Sequence, residues 1–169
     1  MAQGEEVLNG MRVPELREYI ETVKADPSVA ERNLSLVARW MGGPRAQLTH
    51  EGQTFHIGAE GEPSAMWLLL ASLAACDVEV VATTATILGV ELKGLEIETE
   101  GHFNVQRLLG IEEAPGPGYD QIAYTVRVRA PGATEEQVAQ LKAMCERGSP
   151  VGDSLTRRIP LKLEVETRR

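Results

Sequence analysis

The chain has 169 residues with a formal net charge of −8, 43% hydrophobic and 25% charged residues. That size fits one domain able to bury a core without disulfide staples. The acidic balance argues against nucleic acid, which needs a basic surface. No basic amphipathic helix points to a membrane surface. Met1 to Asn9 carries Glu5 and Glu6 without an apolar core and does not read as a secretory signal. The longest apolar run, Ala65 to Ala75, is interrupted by Ser72 and is too short to span a bilayer. These features place the protein in the cytoplasm, with its two thiols, Cys76 and Cys145, reduced at rest.

Residues 11–25 form an amphipathic helix by pattern. Pro14 suits its first turn, and Leu16, Tyr19, Ile20 and Val23 share a face. Asp26-Pro27 ends it. Leu34 to Trp40 reads as a strand, and Gly42-Gly43-Pro44 as a turn. Arg45 to Thr49 pairs with Thr54 to Ile57 across His50-Glu51-Gly52-Gln53. Ser64 is an N-cap candidate for one long helix over about 65–88. Its apolar residues go nearly all the way round, as in a helix buried on most sides. Ser72, Cys76, Glu79 and Thr83 form a narrow polar stripe along it.

Gly89 is the C-cap candidate of that helix. Leu92 to Phe103 and Tyr119 to Ala130 alternate as strands, separated by a Gly- and Pro-rich loop. Thr134-Glu135-Glu136-Gln137 is a capping box opening a helix that carries Cys145 and closes at Gly148. Ser149-Pro150 starts a short helix, and Ile159 to Glu166 alternates as a last strand. The fold class is α+β.

Two cysteines in a reducing compartment are small core residues, metal ligands or a redox pair. Metal is disfavoured: there is no CxxC, and His50, His56 and His102 lack ligand spacing. The element order, with Leu68 to Cys76 (LLLASLAAC), Gly89 to Glu96 (GVELKGLE) and Cys145 to Leu155 (CERGSPVGDSL), resembles the OsmC/Ohr family of thiol-dependent hydroperoxide reductases. The resemblance covers most of the chain from residue 34 onward. It divides the chain into an N-terminal helical extension, 1–33, and an OsmC-like domain, 34–169.

The resemblance implies an intertwined homodimer, with long central helices wrapped by antiparallel sheets and two sites at the subunit interface. Cys76 matches the peroxidatic cysteine and Cys145 the resolving one. The first attacks an organic hydroperoxide and becomes a sulfenic acid, and the second condenses with it to a disulfide. A dithiol reductant of lipoyl type then restores both, with no cofactor. Cys76 lies some three turns inside its helix, beyond the reach of the helix dipole, so an arginine is required. The resemblance points to Arg45, although Pro44 shifts the pattern by one residue. The family glutamate that fixes this arginine falls at Met66 or Trp67 here, and is missing. Glu60, Glu62 or Glu79 are the candidates to replace it, and Asp77 is a weaker one, about 100° round the helix from Cys76. Met66 and Trp67 would place apolar bulk near a pocket mouth. The alternative function is a non-peroxidatic dimer of the same fold, binding a small apolar or thiol-bearing ligand at the subunit interface.

Overall fold

The computed structural model describes residues 6–167; Met1 to Glu5, half of the stretch read above as no secretory signal, lie outside the described residues. The chain opens with a short hairpin, β1 (Val7–Leu8) and β2 (Met11–Arg12), turned at Asn9-Gly10. Both turn residues have positive φ, 52° and 80°, the pairing that Asn-Gly makes cheap in a tight hairpin. The hairpin runs directly into α1 (Val13–Ala25), with Pro14 in its first turn as expected. Asn9 ties this extension to the rest of the molecule. Its Nδ2 donates to the Thr86 hydroxyl (3.1 Å) and the Val90 carbonyl (2.9 Å), and its Oδ1 accepts the Leu92 N–H (2.8 Å).

A meander follows: β3 (Val37–Trp40), β4 (Ala46–His50) and β5 (Gln53–Ile57), antiparallel in the order β3-β4-β5. Leu48 is its one buried large apolar residue among the described residues, while Trp40 is 79% exposed. Next comes α2 (Ala65–Ile87), capped by the Ser64 hydroxyl accepting the Trp67 N–H. Its 23 residues match the long helix expected over about 65–88. By length and composition α2 would suffice to cross a bilayer. It packs instead as the central helix of a folded body. Leu73, Asp77, Val81 and Thr84 form a buried face at helical spacing.

The hairpin β6 (Gly94–Phe103) and β7 (Tyr119–Arg129) lies against that face, and α3 (Glu135–Arg147) and α4 (Pro150–Thr156) complete the body. Val81, Ala85, Val90 and Leu141 form the core cluster, with Leu95, Val126 and Cys145 packed on it. The expected capping box is present, Thr134 and Gln137 each accepting the other's backbone N–H. The expected burial of α2 on most sides is met on one face only. Trp67, Val78 and Ile87 are exposed, by 56%, 41% and 50%.

The expected last strand, Ile159 to Glu166, is not formed. Leu161, Leu163 and Val165 have the alternation of a strand but stand 94%, 86% and 76% exposed. Alternation creates an apolar face; a strand also needs a neighbour for its backbone hydrogen bonds, and this chain supplies none there. The α+β class holds, as mixed helices and antiparallel sheets.

Candidate functional site

Cys76 lies on α2 between solvent and the buried face, partly accessible. Leu69 and Leu73, two turns and one turn earlier on the same side, line a cleft of about 710 Å³ between α2, β7 and the α3–α4 corner. Tyr124, Leu155 and Met66 add apolar surface, so Met66 takes the role expected of it. Trp67 does not line the cleft and points outward.

The group that meets the Cys76 sulfur is a hydroxyl. Ser149, only 5% exposed, donates its O–H to Cys76 Sγ at 3.5 Å. The same oxygen accepts the Gly152 N–H at 3.1 Å and so caps α4. The sequence marks Ser149 as an N-cap; its second contact arises only when α3 folds along α2. Gly148, the end of α3, is needed for this approach. A Cβ there would come within 2.8 Å of the Met144 carbonyl oxygen and 3.3 Å of Val80 Cγ1.

Cys145 lines the cleft and packs on the Val81 and Leu141 cluster. Burial pushes its thiol up, with the Asp77 and Glu146 charges adding to the effect. Tyr124 is pushed up in the same way, by burial first and then by Asp77. Asp77 is fully buried and neither carboxylate oxygen has a hydrogen-bond partner. The sequence reading set it aside because it faces away from Cys76. Facing away from Cys76 is what directs it into the body.

Arg45 sits at the start of β4, and its carboxylate is Glu62. Nε and Nη2 both donate to Glu62 Oε1, at 2.9 and 2.6 Å, and Oε2 accepts the Ala59 N–H at 3.2 Å. The charged hydrogen bond from Arg45 holds the Glu62 carboxyl below its usual range. A glycine makes the pairing possible. Gly58 has φ +95°, and a Cβ on it would lie 2.4 Å from the Pro44 carbonyl oxygen, so the 58–63 loop closes on the turn that carries Arg45. Of the three candidate replacements for the missing glutamate, Glu62 is therefore the one that meets Arg45. Glu60 and Glu79 are exposed. Neither Arg45 nor Glu62 lines the cleft beside Ser149.

An α+β body built on one long central helix is the architecture that the sequence motifs resemble. The OsmC-like protein family profile matches residues 58–164, and the chain belongs to that family. Among curated proteins, no sequence match to the chain is found. The fold is similar to that of the OsmC-like protein from Mycoplasma pneumoniae, at 13% identity over 75% of this chain and 89% of that one, TM-score 0.62. A hypothetical protein from Aquifex aeolicus VF5 gives 14% identity over 75% and 89%, TM-score 0.60. An organic hydroperoxide resistance protein OsmC from Legionella pneumophila gives 14% over 74% and 91%, TM-score 0.51.

Proposed function

We propose that this protein reduces organic hydroperoxides at Cys76, as a cytoplasmic homodimer. The observation that carries the reading is the Ser149 hydroxyl, in the cleft wall, donating to the Cys76 sulfur at 3.5 Å. The reaction forms an S–O bond and breaks the O–O bond; sulfur loses two electrons, and the departing alkoxide takes a proton to leave as the alcohol. The apolar walls suit the organic part of the substrate. Arg45, held by Glu62, would supply the cation that a reactive thiolate needs. Dimer formation would cover the exposed apolar side of α2, both faces of the β3–β5 sheet and the 159–165 segment. The family resemblance assigns Cys145 to the resolving step, with a dithiol of lipoyl type as reductant.

The test is consumption of cumene hydroperoxide in the presence of dihydrolipoamide. Wild type is expected to turn over and Cys76→Ser to fall to background; equal, near-background rates would remove the proposal. A second reading is supported by the absence of the family glutamate at Met66 and Trp67. It is a dimer that binds a small apolar or thiol-bearing molecule in the cleft without peroxide chemistry, and it predicts ligand binding with no hydroperoxide consumption.

A further inference from the structure

We propose that Cys76 is a single-thiol centre: Ser149 occupies the place opposite its sulfur, and its sulfenic acid is reduced by an external thiol entering through the cleft instead of by Cys145. This rests on the peroxidatic reading of Cys76 and replaces the resolving role given to Cys145.

The register of α3 against α2 carries the argument. Leu141 and Cys145 pack with Val81 and Ala85 in the core cluster. One turn on, Gly148 lies against Val80, and Ser149 reaches Cys76. Cys145 packs on the cluster that holds Val81, and the side chain that meets the Cys76 sulfur is Ser149. A disulfide needs sulfurs about 2.05 Å apart. A Cys76–Cys145 bond would take the place of the Ser149 contact on the Cys76 sulfur.

The chemistry of Cys145 agrees. A resolving thiol attacks as its anion, and burial, with the Asp77 charge adding to it, raises this thiol above its ordinary range. The cleft is open to solvent, and Ser149, which meets the Cys76 sulfur, is in its wall. An external thiol attacks the Cys76 sulfenic acid there. Its sulfur bonds to Cys76 Sγ, the S–O bond breaks, and hydroxide leaves with the thiol proton as water. A second thiol, or the other thiol of the same molecule, attacks the external sulfur of this mixed disulfide. Cys76 departs as its reduced form, and the two external sulfurs are left joined.

The experiment compares wild type with Ser149→Cys, full-length and fully reduced. Each is treated in separate arms with diamide, which accepts two electrons and two protons from neighbouring thiols, and with one equivalent of cumene hydroperoxide plus dimedone. Wild type is expected to form no intrachain disulfide in either arm and to carry dimedone on Cys76 in the second. Ser149→Cys is expected to lose about two daltons per chain, with Cys76 linked to the introduced thiol. A Cys76–Cys145 linkage in wild type, or failure of diamide to bridge Ser149→Cys, would overturn the inference. The diamide arm requires no peroxide chemistry. A Cys76 inert to hydroperoxide would remove the proposed function, and the diamide result would still decide which residue faces Cys76.

Discussion

The body formed by α2, α3 and the β6–β7 hairpin and the outlying β3–β5 sheet with the 159–165 segment are built from similar residue types but differ in what covers them. In the body, Val81 and Ala85 are fully buried and Leu141 is 5% exposed. In the outlying parts, Trp40, Leu161 and Leu163 are each more than three-quarters exposed. The first region buries a core within one chain. The second has the strand pattern of a folded element without its second layer, as expected where the layer comes from another copy.

The largest effect should come from breaking the body. Leu141→Ala removes buried side-chain volume from the core cluster and should cost about 2–5 kcal/mol in denaturant unfolding. A loss below about 1 kcal/mol would mean that α3 is not held there as described.

Next, Leu161→Asp with Leu163→Asp should leave the secondary structure of the body intact and shift sedimentation equilibrium toward the monomer. These side chains touch little within the chain, so their burial is available only between chains. Unchanged association would show that the segment is not part of an interface.

The smallest effect on stability should come from Glu62→Gln, since the Arg45 pair is partly exposed and screened. Its effect should appear in hydroperoxide turnover, as a loss of about tenfold with the fold unchanged. The wild-type dependence on pH has a definite sign. Arg45 lowers the Glu62 carboxyl, so the pair is intact above the ordinary carboxylate range and is lost as pH falls through the lowered value. Turnover equal to wild type in Glu62→Gln would show that Arg45 needs no orienting carboxylate.

Much of the body was legible in the sequence because its signals are local. The Ser64 cap, the Thr134–Gln137 capping box and the Ser149-Pro150 helix start lie where the side chains say they should. The Asn9-Gly10 hairpin was missed, its strands being only two residues long. The strand expected at 159–166 failed for the opposite reason: its alternation is clear, but no strand among the described residues pairs with it. In the site, Cys145 and Met66, picked out from the sequence, line the cleft, and Glu62 was one of three candidates for Arg45. The contact of Ser149 with Cys76 was not legible. It depends on the register of two helices whose contacting residues are 73 positions apart.

The most direct test of the account is site-resolved dimedone labelling at neutral pH, with and without one equivalent of cumene hydroperoxide. The account predicts hydroperoxide-dependent label on Cys76 and none on Cys145. Label on Cys145 alone, or on neither cysteine, would contradict it.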